Sequence, residues 1–211
     1  MASQPKLSYF DIRGFAETSR LLFAVAGVPF EDHRFPLKII GPGNYERKEF
    51  DEAKAANAFP FGQVPVLEVN GVQIAQSRAI ERYIAREYGL FGSNNLETAQ
   101  IDMFSEQLND FATEFRKANY WAKPEEKEAL LASFYETHLP KHLATLEARV
   151  GAPSAKPNLF EVQLYNFFEI LDQAKLAPAL EHAPKLAAIR KAVASYPAIA
   201  HHVATRPVTP F

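Results

Sequence analysis

The sequence has 211 residues, with 23 Lys and Arg against 25 Asp and Glu, a formal net charge of -2, and no cysteine. A nearly neutral chain has no overall electrostatic pull toward nucleic acid or an anionic membrane. The missing cysteine excludes disulfides, thiolate zinc sites and catalysis by a protein thiol, so any thiol chemistry must use a thiol carried by a substrate. Hydrophobic residues make up 47%, including 17 Phe, enough for a sizeable core in one large domain or two small ones. Met1 to Leu7 is short and polar, without the apolar stretch of a signal peptide, and no run approaches the ~18 apolar residues of a membrane span. The expectation is a soluble, cytoplasmic protein that binds neither membrane nor nucleic acid.

In chain order, Lys6 to Phe10 reads as a strand, Arg13-Gly14 as a turn, and Glu17 to Ala26 as a helix ended by Gly27-Val28-Pro29. Phe30 to Phe35 is a weaker strand. Gly41-Pro42-Gly43 breaks the chain, and Tyr45 to Ala56 reads as a short polar helix. Val64 to Val69 and Val72 to Ala75 flank Asn70-Gly71, the strongest short signal for a two-residue hairpin. Ser77 to Tyr88 reads as a helix with Ser77 as its N-cap. The order is β-α-β-α-β-β-α.

The remainder reads as helical. Ile101, Phe104, Leu108, Phe111 and Phe115 form one apolar stripe on a helix from Glu97 to Ala118. Glu125 to Val150 is a second long helix, with a kink expected at Pro140. Phe160 to Gln173, Leu176 to Leu180 and Pro184 to Ser195 follow. The change from mixed to helical structure falls near Gly89 to Asn95, which divides the chain into residues 1–88 and 95–211.

Three motifs stand in register. They are Tyr9-Phe10-Asp11-Ile12-Arg13-Gly14 with Ala16-Glu17, then Pro60-Phe61-Gly62-Gln63-Val64-Pro65-Val66-Leu67, then Gln76-Ser77 with Ala79-Ile80 and Tyr83-Ile84. Followed by an all-helical half, they resemble the cytosolic glutathione transferases, and most closely the sigma-like branch. The resemblance covers nearly the whole chain. It implies a thioredoxin-like α/β domain that binds glutathione, an all-α domain that selects the electrophile, and a homodimer.

The resemblance assigns Tyr9 the hydrogen bond to the glutathione sulfur. A free thiol has a pKa of about 8.5, and lowering it by ~2 units needs ~2.7 kcal/mol of preference for the anion. One hydrogen bond to a charged group is worth about 1.5–3 kcal/mol, so a single hydroxyl suffices. Ser8 is the alternative donor, but successive strand residues face opposite sides, and the Tyr-Phe context favours Tyr9.

The resemblance also implies a cis bond at Val64-Pro65, which lets the Val64 backbone pair with the cysteinyl backbone of glutathione. Gln76 and Ser77, at a helix start suited to anions, take the γ-glutamyl end. Gln63 and Lys54 are further glutathione contacts, with Lys54 on the glycyl carboxylate. Asp110 reaches across the dimer to the amino group of glutathione bound by the other subunit. Ile12, Phe15, Phe115, Tyr120 and Trp121 are the expected walls for an apolar electrophile.

The sequence departs from the family pattern at several places. Phe15 stands where similar sequences have Arg, and Arg13 is left with structural work beside an acidic partner. The usual tryptophan near Lys54 is missing, with Phe50 or Tyr45 as replacement. The customary Ser/Thr-x-x-Asp box is replaced around Asn158 to Gln163, with Asn158 as the remaining cap candidate.

Asp102, Glu106 and Asp110 lie along one helix side and read as a solvated acidic face rather than a metal site. The six histidines are read as lacking metal-ligand spacing, with His201-His202 a surface pair. Whether Phe211 covers the pocket is left open. The expected activity is conjugation of glutathione thiolate to small hydrophobic electrophiles, with peroxidase or isomerase side activity. One rival is a noncatalytic, crystallin-like or ligand-carrying protein on the same scaffold. The other, a thiol–disulfide oxidoreductase, conflicts with the missing cysteine.

Overall fold

A computed structural model describes residues 4–41 and 44–209, and Phe211 lies outside them. The chain divides into two compact units, residues 1–90 with 198–211, and residues 91–197.

The first unit is built on a four-stranded sheet in the order β2-β1-β5-β6, from β1 (Lys6–Phe10), β2 (Glu31–Phe35), β5 (Val66–Val69) and β6 (Val72–Ala75). β1 runs parallel to β2 and antiparallel to β5. As an inner strand it is covered on both faces, with Leu7 and Tyr9 buried on one side and Ser8 on the other. The parallel pair requires a crossover, supplied by α1 (Glu17–Ala26), which packs beside α3 (Ser77–Glu87). Gly27 closes α1 at φ 68°, in the left-handed region that glycine adopts without penalty. Asn70 and Gly71 both have positive φ, as the two-residue hairpin between β5 and β6 requires. This is the thioredoxin-like arrangement.

The sequence reading missed a second, two-stranded sheet of β3 (Lys38–Gly41) and β4 (Asn44–Glu46). Tyr45 is therefore a strand residue, and the helix expected from Tyr45 begins only at Lys48, as α2 (Lys48–Ala55). Ile39, Ile40 and Tyr45 suit a strand, and Lys38 pairs with Glu46 across the hairpin at 3.2 Å.

In the second unit, α4 (Asn95–Arg116) turns Leu108, Phe111 and Phe115 inward against α7 (Leu159–Ile170). Phe111 stacks on Phe134 at 5.6 Å and meets Phe167 edge-on at 4.8 Å. α7 is buried almost all round, and its start is secured by a reciprocal capping box between Asn158 and Glu161. The box is thus present as Asn-x-x-Glu, two positions earlier than Phe160 and Gln163.

The long helix expected over Glu125 to Val150 runs without interruption as α5 (Pro124–Ser133), a π turn over Phe134–His138, and α6 (Leu139–Glu147). Pro140, in the first turn of α6, lacks the N–H that an uninterrupted α-helix would use, and the wider π turn takes up the mismatch. A second π turn, Lys117–Trp121, follows α4. α8 (Gln173–Glu181) is longer than expected, and α9 (Pro184–Ser195) matches the reading.

The last helix, α10 (Pro197–Thr205), was not anticipated, and it corrects the reading of His201-His202 as a surface pair. His202 lies 3.0 Å from Glu17 Oε1, and Arg206 donates to the same oxygen at 2.8 Å. Glu17 is 1% exposed and also meets the fully buried Arg20 at 3.3 Å. Burial pushes the Glu17 carboxyl up, but hydrogen bonds from His202 and Arg206, with the charges of His202 and Arg20, hold it at about 2. A folded-state value below the ordinary 4.5 means that Glu17 stabilises the protein above pH 4.5 and loses that contribution as pH falls toward 2. Glu17→Gln should lower stability at neutral pH by roughly 3 kcal/mol, because it strands buried cations. It should also flatten the acid limb of a stability–pH curve measured by denaturant unfolding.

Candidate active site

The site starts from Tyr9 on β1. Its ring is 5% exposed, and its hydroxyl accepts the backbone N–H of Phe15 at 3.2 Å. The chain can pass this close only because residue 14 is glycine. A Cβ there would stand 2.6 Å from the Tyr9 Oη and 2.8 Å from its ring, and φ is +41°. Accepting an N–H polarises a hydroxyl and strengthens it as a donor. The Phe15 N–H also belongs to the 3-10 turn Gly14–Ala16 that leads into α1, where helix-start dipoles favour negative charge.

Arg20 fixes the loop that carries these groups. Its Nη1 donates to the Ile12 and Arg13 carbonyls at 2.8 and 3.3 Å, and its Nε to Asp32 at 3.1 Å. Arg34 holds Asp32 from the other side at 2.7 Å. The structural work expected of Arg13 is therefore done by Arg20.

Beside this loop lies an open cleft of about 200 Å³, lined by Phe15, Phe61, Gln63, Pro65, Ala75, Gln76 and Ser77. Gln63, Pro65, Gln76 and Ser77, expected as glutathione contacts, are thus brought together. Tyr9, Val64 and Lys54 stand outside that lining. Phe15, which does line the cleft, donates its backbone N–H to the Tyr9 hydroxyl. The Val64–Pro65 bond is cis, and β5 begins only at Val66, so Val64 lies outside the strand ladder. Lys54 is exposed on α2, and its side chain runs along Gly62, a 3.3 Å approach for any Cβ there.

Gln76 precedes α3 at φ 73° and ψ 113°, a sparsely populated region for a residue with a side chain. It and not Ser77 is the N-cap residue, and its side chain makes no capping hydrogen bond. Ser77 is the first helical residue. Gln76 and Ser77 both line the cleft, so α3 starts there, and a helix start suits a carboxylate.

Other expectations need correction. Phe50 does not replace the missing tryptophan at the cleft. It is buried against Phe10, Phe35 and Phe59, stacking on Phe59 at 5.7 Å, while Tyr45 sits on β4. Among the expected electrophile walls, Phe15, Tyr120 and Trp121 are at least half exposed or nearly so. Ile12 and Phe115 are buried, and Phe115 packs on Phe134 and Phe167. Asp110 is exposed on α4. Phe61, 65% exposed on the cleft wall, had no assigned role, although its place two residues before Gln63 was a signal. The histidines do contain a ligand-type spacing, because His138 and His142, four apart, converge on Glu114. Among the described residues no helix is long and apolar enough to cross a membrane.

Residues 5–86 match the glutathione S-transferase N-terminal domain, and residues 109–206 match the C-terminal domain of the same family. The chain is 34% identical to the hematopoietic prostaglandin D synthase of Gallus gallus, over 97% of each chain. It is 32% identical to glutathione S-transferase A2 of Bos taurus, over 94% of this chain and 87% of that one. Among solved structures, a glutathione S-transferase of the hookworm Necator americanus, described as monomeric, superposes with a TM-score of 0.81 at 30% identity, covering 99% of this chain and 100% of the other. Prostaglandin synthase D of Nilaparvata lugens superposes with a TM-score of 0.81 at 27% identity, over 98% of this chain and 100% of the other. With a thioredoxin-like unit, a helical unit, and matches to both family domains, the chain belongs to the glutathione S-transferase family.

Proposed function

We propose that the protein is a tyrosine-dependent glutathione transferase of the sigma-like branch, acting in the cytoplasm on small hydrophobic electrophiles. What supports the tyrosine assignment is the Tyr9 hydroxyl held 3.2 Å from the backbone N–H of Phe15, a residue that lines the cleft with Gln63, Pro65, Gln76 and Ser77. In this reading the α-carboxylate of the γ-glutamyl group lies at the start of α3, and the Val64 backbone pairs with the cysteinyl unit. Gln63 and Lys54 hold the glycyl end. Residues 1–88 carry glutathione, and 95–211 select the electrophile.

The sulfur then lies by Tyr9, whose O–H donates to the thiolate. The thiol gives its proton to solvent, and the thiolate attacks the electrophilic carbon. A leaving group departs with its electron pair, or in addition the product carbanion takes a proton from water. Holding both reactants together supplies proximity, and Tyr9 supplies the nucleophile. Phe15 and Phe61 form aromatic walls next to the glutathione contacts, and Tyr120 and Trp121 are exposed aromatic surface on the helical unit, which favours flat or apolar electrophiles. Two relatives carry prostaglandin D synthase names, which makes isomerisation of a peroxide substrate a side activity to assay. We assign Asp110, exposed on α4, to the glutathione amino group of a second subunit in a homodimer.

Tyr9→Phe should keep glutathione binding and lose about 10²-fold in kcat/KM near neutral pH with an aryl halide, the factor that ~2.7 kcal/mol of thiolate stabilisation represents. Its pH–rate profile should move upward by about 2 units, because the thiol returns toward its ordinary pKa. An unchanged profile would assign activation to another group.

Gly14→Ala should lower kcat/KM without removing the fold, since its methyl would enter the space of the Tyr9 hydroxyl. Circular dichroism and turnover, measured together, check this. Asp110→Asn should raise the KM for glutathione several-fold if the site is shared between subunits, and sedimentation should then find a dimer. A monomer with unchanged KM would remove Asp110 from the site.

A further inference from the structure

A cluster of a different kind lies in the helical unit. Glu114 on α4, His138 at the end of the π turn Phe134–His138, and His142 one turn later on α6 place their ligand atoms within 4.8 Å of one another. Glu114 Oε2 lies 2.8 Å from His138 Nδ1 and 2.9 Å from His142 Nε2. We propose that these three side chains form a binding site for a divalent transition-metal ion of the zinc type.

The donor set comes first. Two imidazole nitrogens and one carboxylate oxygen suit zinc, copper or nickel, and they do not suit magnesium or calcium, which require oxygen ligands. Three protein ligands leave a fourth position for water, the arrangement of an open zinc site.

The local fold delivers this set. Residues four apart share one helix face, and the π turn before Pro140 sets where that face begins. The ring of His142 is fixed by stacking on Phe111 at 4.6 Å and 14°. Its side chain is 13% exposed, whereas Glu114 and His138 are 39% and 42% exposed, so the anchored ligand is joined by two that can adjust.

Binding requires modest adjustment, including approach of the two imidazole nitrogens, which lie within 4.8 Å of each other. Ligands at 2.0–2.1 Å around a tetrahedral ion stand roughly 3.3 Å apart. The carboxylate oxygen therefore draws back from each nitrogen by about half an ångström. The bound ion would tie α4 to the π turn and α6, which are distant in sequence, and so stabilise the unit.

Without an ion, the same atoms form a carboxylate bridged by two imidazoles. Burial pushes the Glu114 carboxyl up, but the hydrogen bonds and charges of His142 and His138 outweigh it and hold it below the ordinary value. Such a bridge would hold the helices together with no metal, so binding itself must be measured.

The test uses full-length, untagged protein stripped with a chelator and titrated with Co²⁺ and Zn²⁺, followed by calorimetry and by the visible absorption of Co²⁺. The proposal expects one ion per chain, an absorption spectrum of low coordination number, a raised melting temperature with Zn²⁺, and no displacement by excess Ca²⁺. His138→Gln, at the most exposed ligand, should weaken binding at least tenfold while leaving glutathione turnover and circular dichroism unchanged. Glu114→Gln should weaken it similarly. His182→Gln, an exposed histidine outside the cluster, should bind as the parent does. No binding to the folded parent protein, or equal affinity in the parent and His138→Gln, would overturn the proposal. An equal loss in His182→Gln would show adventitious surface binding and overturn it as well.

Discussion

The first unit depends on a buried guanidinium. Arg20 is a fixed positive charge with no exposure to solvent, and such a charge must be paired; its Nε and Nη1 are engaged, while its Nη2 has no hydrogen-bond partner. Its engagements reach in three directions. Asp32 ties it to β2, the Ile12 and Arg13 carbonyls tie it to the β1–α1 loop, and Glu17 ties it to the start of its own helix. Glu17 in turn engages His202 and Arg206 from the end of the chain. The loop held this way is the one that brings Gly14 over Tyr9 and aims the Phe15 N–H at its hydroxyl. The position of the proposed catalytic hydroxyl is thus set by an ion network rather than by packing alone.

The cleft beside that loop has two kinds of surface. Gln63, Gln76 and Ser77 line its polar side, next to the cis Pro65 and the start of α3. Gln76 holds a strained φ of 73° there, and its side chain makes no capping hydrogen bond. The apolar side is Phe15 and Phe61. With Phe15 at this place the cleft wall is aromatic, and in the proposed reaction the thiolate is stabilised by the Tyr9 hydroxyl.

Much of this was legible in the residues because the signals were local. Lys6–Phe10, Glu17–Ala26 and the Asn70-Gly71 hairpin follow from alternation, capping and turn chemistry that a few neighbouring residues decide. The cis bond and the cleft contacts were legible through motif resemblance, not periodicity. What escaped was set by distant partners. The β3–β4 hairpin gains its order from pairing across a break rather than from a strong strand pattern. α10 matters through His202, whose partner Glu17 lies 185 residues earlier. Phe50 looked like a site aromatic until its neighbours Phe10, Phe35 and Phe59 closed around it. The His138–Glu114–His142 cluster escaped because its third member, Glu114, lies on another helix, 24 residues before His138. Asn158 was legible as a cap, while its reciprocal partner Glu161 lies two positions before the Gln163 that the family pattern points to.

The central claim is that this scaffold holds bound glutathione as a thiolate through Tyr9. The most direct measurement is an ultraviolet difference titration of glutathione bound to the intact protein, which reads the thiolate without any electrophile. The account predicts a midpoint about 2 units below the 8.5 of a free thiol, returning toward 8.5 when Tyr9 is replaced by Phe. A bound thiol that titrates near 8.5 in the intact protein would contradict it.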